Sequence, residues 1–252
     1  MRNITTLRRG AATLLAALIL TLLAPSASPS GLTAGARQDA TPGSDPCAGV
    51  SAMATPGMEM GTPMADMDMG EMGSPAAMAE FDQLYIDMMI PHHASIIAMA
   101  EAALPRLTDE RLREIAQAVI ATQEPEIAEL RDLRQRFYGD PDPAPMDMAM
   151  MTMMDEAMPG MGTMDEMAFQ MDREAQVAAI CAAENADLAF IDLTIPHHQM
   201  AIIASEAALE RAVHPEIRDL AEQVIAAQER EIETLIEIRQ DLAGTASPAA
   251  VT

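Results

Sequence analysis

The chain contains no lysine. All 15 of its basic residues are arginines, set against 39 acids, for a formal charge of −24. Such a chain repels phosphate backbones and anionic membrane surfaces, so nucleic acid is excluded as a partner. Strand signals are also missing, which points away from a sheet protein. The longest apolar run, Ala11 to Ala24, is too short to span a bilayer comfortably as a permanent helix. Preceded by Arg2, Arg8 and Arg9 and followed by small residues ending in Ala-Gly-Ala at Ala36, it reads as an export signal over residues 1–36. The expected location is therefore periplasmic or extracellular. There is no stable membrane insertion once the signal is cleaved, and the chain is membrane-anchored if it is not. Removing those three arginines, with no acid among residues 1–36, takes the charge to −27, a balance that attracts cations. Cysteine is scarce as well. Cys47 and Cys181 can pair in an exported chain and tie the N-terminal tail to the second half, but spacing alone leaves this open against two unrelated thiols.

Histidine is scarce too, and its placement is not random. Of five histidines, four stand in two Ile-Pro-His-His phrases, His92-His93 and His197-His198. Residues 82–139 and 187–244 align without a gap at an offset of 105, matching Asp82 with Asp187, Asp87 with Asp192, Gln123 with Gln228, Glu126 with Glu231 and Arg134 with Arg239. So many identities in register imply a duplicated unit. Each unit reads as two amphipathic helices joined by a short turn. In the first, Thr108 is a good N-cap and Gly139 a good terminator. In the second, His214 falls at the cap position before Pro215, so a cap or surface role is expected of it. One hairpin cannot bury its own apolar face, whereas two can bury each other's, so the expected fold is all-α, an antiparallel four-helix bundle of two duplicated hairpins. The expected organisation is a signal at 1–36, a Met-rich segment at 37–78, hairpins at 79–139 and 167–244 with a Met-rich linker at 140–166 between them, and a tail at 245–252. Of 24 methionines, eight lie between Met53 and Met78 and eleven between Met146 and Met171. Both Met-rich stretches show no clear helical period and are expected to be largely disordered, the second turning helical near Met164.

Both histidines of each pair fall within the wide apolar face of their helix. Met89 is one turn from His92 and His93, and Met200 is one turn from His197. Met99 lies two turns beyond His92, better placed for packing or a second site than for the same ion. Pro91 and Pro196 free the carbonyls of Asp87 and Asp192 inside their helices, placing a carbonyl and a carboxylate one turn before each pair. These aspartates are candidate ligands, or else partners that fix a histidine tautomer. On the partner helix, Gln123 and Glu126, and in the second copy Gln228 and Glu231, interrupt an apolar seam. A buried carboxylate needs a cation or strong donors, and either an imidazole or a metal supplies one. Imidazole beside thioether favours copper, and Cu(I) above all. Met58, Met60, Met67, Met69, Met146, Met148 and Met150 offer further closely spaced thioethers. The bland alternative is that the histidines are satisfied core residues and the methionines packing.

The two phrases, each followed by a Gln-Glu-x-Glu-Ile helix at Gln123 and Gln228, resemble a family of bacterial exported proteins known as domain of unknown function 305. The resemblance covers both units and implies a ferritin-like helical fold marked by the histidine pair, with some members linked to copper handling outside the cytoplasm. It implies His92, His93, His197 and His198 as site residues, with Met89 and Met99 as metal-site methionines. The second copy departs from the pattern, with Thr194 in place of Met89 and Ala204 in place of Met99, so the two sites need not be equal.

The preferred expectation is an exported copper-binding protein, a buffer or carrier for Cu(I), working with an envelope copper-handling partner and requiring no catalysis. Nothing in the residues selects an oligomeric state. The alternatives are a ferritin-like di-metal oxidase or peroxidase, against which stands the absence of Glu-x-x-His from both repeats, and a metal-free helical interaction module.

Overall fold

The computed structural model describes residues 47–48 and 75–245. The expected export signal, most of the first Met-rich segment and the last seven residues lie outside them. Among the described residues there are seven helices and no strand: α1 (Pro75–Ala103), α2 (Glu110–Tyr138), α3 (Met148–Ala157), α4 (Met164–Met171), α5 (Arg173–Ala182), α6 (Ala186–Arg211) and α7 (Pro215–Thr245).

α1 is apolar on nearly every side, and a helix of that kind must be surrounded. From Phe81 to Ala103 almost all of it is buried, with α2, α3, α4, α5 and α6 packed around it. α2 is amphipathic. Leu112, Ile115, Val119, Gln123, Leu130 and Leu133 recur every three to four residues and face α1. α7 covers α6 in the same way through Ile217, Leu220, Val224, Gln228, Leu235 and Ile238. α1 and α6 run antiparallel at the centre, since Tyr85 Oη meets Ser205 Oγ at 2.9 Å while His92 faces His197. Pro91 and Pro196 lie inside α1 and α6, which continue through them.

The turns of the two helical pairs are held crosswise. Asp82 of α1 accepts the backbone N–H groups of Val213 and His214 at the start of α7, and its Oδ2 lies 2.6 Å from His214 Nδ1. Asp187 of α6 accepts from Thr108 N at 2.7 Å and from the Thr108 hydroxyl at the start of α2. Thr108 is thus engaged across the molecule, and the N-cap of α2 is Asp109. His214 stands before α7, its carbonyl accepting from Ile217 N, and its ring stacks on Phe137 at 3.6 Å. Gly139 ends α2 at φ 82°, a left-handed conformation that suits glycine.

The expectation of disorder in residues 140–166 is corrected. Much of this stretch is helical, in α3 and the start of α4, and Met151, Met154, Met158 and Met161 are buried, joined by Met167 and Met171 at the end of α4. Met151, Met154 and Met158 follow the helical period to the C-cap of α3, and Met161 is buried from the turn before α4; the stripe is hidden in the sequence because so many of the surrounding residues are also methionine. Asp147 accepts from Met150 N, and Thr163 with Glu166 forms a reciprocal capping box. Burying each methionine contributes about 1.5–3 kcal/mol at most, enough together to order the segment against α1. α5 is tied to Cys47 through the Cys47–Cys181 disulfide, with Cα atoms 5.4 Å apart.

Candidate metal centre

The histidine pairs sit halfway along α1 and α6, where the two central helices cross and no water reaches. All four side chains are fully buried. His92 and His197 meet at the middle, ring centroids 3.6 Å apart and planes inclined by 35°. His93 lies outward from His92 at 6.1 Å, and His198 outward from His197 at 6.3 Å. The result is a row of four imidazoles. Each outer ring meets a carboxylate from the covering helix: His93 Nε2 lies 2.9 Å from Glu126 Oε2, and His198 Nε2 lies 2.7 Å from Glu231 Oε2. These contacts are close but out of line, so neither counts as a hydrogen bond, and both ring nitrogens of His93 and of His198 go without one.

The inner rings are almost as poorly satisfied. Neither nitrogen of His92 makes a well-aligned hydrogen bond, nor does His197 Nδ1, although the backbone of His197 lies beside the first ring and that of Gln170 beside the second. Only His197 Nε2 is met, by Ser95 Oγ at 3.0 Å. Ser95 also lies 2.7 Å from the His92 carbonyl and 2.5 Å from that of Gln170, which links the α4 segment to the imidazole row. Seven of the eight ring nitrogens therefore make no hydrogen bond. Two of the seven, His93 Nε2 and His198 Nε2, still face carboxylates at 2.9 and 2.7 Å; each of the others costs about 1–3 kcal/mol, so the arrangement is maintained against a penalty. Gln123 Oε1 and Gln228 Oε1, one turn before each glutamate, are buried and unpartnered as well. Burial first, and the neighbouring imidazoles next, hold His92 and His197 well below the ordinary histidine value of 6.5. Both rings are neutral at neutral pH, the form in which a nitrogen lone pair can bind a metal.

Not every candidate residue joins this row. Asp87 is engaged by Arg134, Nε to Oδ1 at 2.5 Å, and Asp192 by Arg239 at 2.7 Å. The expectation that these aspartates serve the histidines is corrected: in each pair the arginine 47 residues on takes the carboxylate. The signal was available, because Arg134 and Arg239 match in the repeat. Met89 and Met200 are buried in one cluster with Met88, Met154 and Met158. Met99 is buried in a different cluster with Ile96, Leu112 and Phe190, apart from the other two. Sequence reasoning missed Ser95, which stands where the repeat differs, opposite Met200 in the alignment. It also missed Gln170, which acts through its backbone carbonyl and leaves no trace in residue type.

Among the described residues, no three His, Cys, Asp or Glu side chains converge as a ready-made ligand set. What the row offers is two His–Glu pairs joined through two imidazoles inclined by 35°, of which only His197 Nε2 meets a hydroxyl. Imidazole donors of this kind suit a borderline ion. No helix among the described residues is long and apolar enough to cross a membrane.

Comparison with known proteins gives the family. The family profile described as "Domain of unknown function (DUF305)" matches residues 82–239, which take in both histidine pairs. The chain belongs to the DUF305 family. That single match spans both helical pairs. Among solved structures, CopM in its Cu(II)-bound form is 30% identical, with a TM-score of 0.50, covering 64% of this chain and 97% of that one. CopM in its Cu(I)-bound form is 28% identical, at a TM-score of 0.49, covering 64% and 96%. A DUF305 protein from Streptomyces coelicolor is 21% identical, at a TM-score of 0.51, covering 68% and 98%. No functionally curated protein matches the chain.

Proposed function

We propose that this DUF305 chain is an exported copper-binding protein that buffers or carries copper, chiefly Cu(I), in the cell envelope. The observation that carries the proposal is the row of four dry imidazoles with seven ring nitrogens lacking a hydrogen bond. A core built only for stability would pair or replace them. Similarity to CopM in a Cu(II)-bound form supports copper as the ion. His92, His93, His197 and His198 would supply nitrogen, Met89 and Met200 sulfur, and Glu126 and Glu231 a compensating charge. Met148 and Met153 are partly exposed on α3 and would meet the ion first; the methionines between Met53 and Met72 lie outside the described residues and would supply further thioethers for capture. Two tandem copies of one hairpin, closing as a ferritin-like four-helix bundle, account for the offset of 105 and for the crosswise capping of the turns.

The metal-free reading has one observation in its favour, the short His93–Glu126 and His198–Glu231 contacts. Their poor alignment weakens it. Titrating the purified protein anaerobically with Cu(I), Cu(II), Zn(II) and Fe(II) separates the readings. Copper should bind at micromolar supply and be lost when the four histidines are changed to alanine. Wild-type protein that binds no metal would leave the interaction-module reading, and bound iron with oxygen uptake would favour a di-metal oxidase.

A further inference from the structure

Ser95 is fully buried where α1 meets α6. Its hydroxyl has three polar neighbours: the Gln170 carbonyl at 2.5 Å, the His92 carbonyl at 2.7 Å and His197 Nε2 at 3.0 Å. A serine hydroxyl has one proton to give and two lone pairs with which to accept. Two of the three neighbours are carbonyls, which can only accept. Where the single proton goes therefore decides what His197 must do.

The Gln170 carbonyl has the strongest claim. It stands in the last turn of α4, where carbonyls lose their intrahelical partners. Glu174 N, four residues on, donates instead to Oδ1 of Asp172, the N-cap of α5, at 2.9 Å. The Gln170 side chain is buried and accepts from Gln176 Nε2 at 2.8 Å, which pins the turn between α4 and α5. The His92 carbonyl, by contrast, lies inside α1, where the amide four residues on serves it. If Ser95 gave its proton to His197, its lone pairs would face both carbonyl oxygens, and the Gln170 carbonyl would be left buried without a donor. Giving the proton to Gln170 satisfies that carbonyl and leaves Oγ free to accept. His197 Nε2 is then the donor. A neutral imidazole carries one proton, so Nδ1 is left with a bare lone pair.

We infer that Ser95 fixes the tautomer of His197, placing the ring proton on Nε2 and leaving Nδ1 as the nitrogen that can bind a metal. Ser95 is thus a positioning residue, acting through the ring without touching an ion. The metal half of the statement rests on the copper reading above; the tautomer stands without it. A hydrogen bond to one imidazole nitrogen is what decides which nitrogen a metal meets. The lock is confined to one inner ring. By the repeat, the counterpart of Ser95 is Met200, which has no hydroxyl, and neither nitrogen of His92 makes a hydrogen bond.

The test is long-range proton–nitrogen NMR of the metal-free exported protein, with H197Q to assign the ring, alongside anaerobic Cu(I) titration against a competing chelator. Wild type should show His197 protonated at Nε2 and bare at Nδ1. S95A should move proton occupancy toward Nδ1, and S95T, which keeps the hydroxyl, should restore the wild-type pattern. S95A should weaken Cu(I) binding about tenfold, with S95T within about threefold of wild type. A residue that only packs would change stability and leave the His197 nitrogen signals where they were. A proton on Nδ1 in wild type, or S95A signals identical to wild type, would overturn the inference. A shifted tautomer in S95A with unchanged Cu(I) affinity would overturn Nδ1 as the metal-binding atom. Wild-type protein that shows the Nε2 proton but binds no copper would remove the copper reading and leave the tautomer assignment standing.

Discussion

The two helical pairs carry the same ion pair in different surroundings. Asp87–Arg134 is almost wholly buried, with side chains 2% and 7% exposed, whereas Asp192–Arg239 is 52% exposed on both sides. Residue types and spacing are identical, so the difference comes from outside the repeat. α3, α4 and α5 contact α1, and among them only α5 packs appreciably on α6. The segment between the repeats therefore turns a near-symmetric molecule into one with a wrapped half and an open half. The same chemistry then acquires different energetics. A charge pair in water contributes little, while a buried one becomes a liability as soon as either partner is lost.

The largest contrast should appear there. D87A strands the Arg134 guanidinium in a dry site and should cost about 3 kcal/mol in urea unfolding, while D192A should be indistinguishable from wild type. Equal effects would mean that the wrapping segment does not shield α1. Next comes the segment itself. M154A empties a fully buried position and should cost about 2–4 kcal/mol, against almost nothing for M153A on the same helix but 39% exposed. If both are neutral, α3 contributes no packing to the core. A smaller effect, with no contrast between halves, is expected for D82N and D187N. Each weakens a carboxylate that caps the opposite pair, and each should cost about 1–2 kcal/mol. Loss in only one would show that the crosswise capping is not shared.

Much of this was legible in the sequence, and the failures have physical causes. The four long helices α1, α2, α6 and α7 and the inward histidines followed from period and repeat, because a helix apolar all round has nowhere to go but the centre, whereas α3 and α5 were not foreseen. Glu126 and Glu231 could be placed beside the imidazoles because they interrupt an otherwise apolar seam. Asp87 and Asp192 were misplaced because sequence shows that a carboxylate is near but not which cation claims it; Arg134 and Arg239 match in the repeat, yet nothing in the pattern ties them to these two carboxylates. The helical stripe of Met151, Met154 and Met158 was invisible in a segment where nearly every apolar residue is methionine. The asymmetry of burial could not be read at all, since it depends on which face the intervening segment chooses.

The last expectation concerns the residues at which the two halves must agree. Burial and neighbouring imidazoles hold His92 and His197 below the ordinary value of 6.5 when folded, whereas an unfolded chain titrates near 6.5. A histidine with a lowered folded value contributes stability that is present above 6.5 and is lost as pH falls below it, because the unfolded chain then binds protons the folded one refuses. The metal-free protein should therefore weaken steadily as pH falls below 6.5. Urea midpoints measured at pH 7.5 and 5.5 give the slope. H92Q and H197Q should each flatten it by a similar amount, since both rings lie in the same dry contact. A slope unaltered in both variants would place those rings in water and undo the site; a slope altered in only one would show that the wrapped and open halves differ at the centre of the row as they do at its ion pairs.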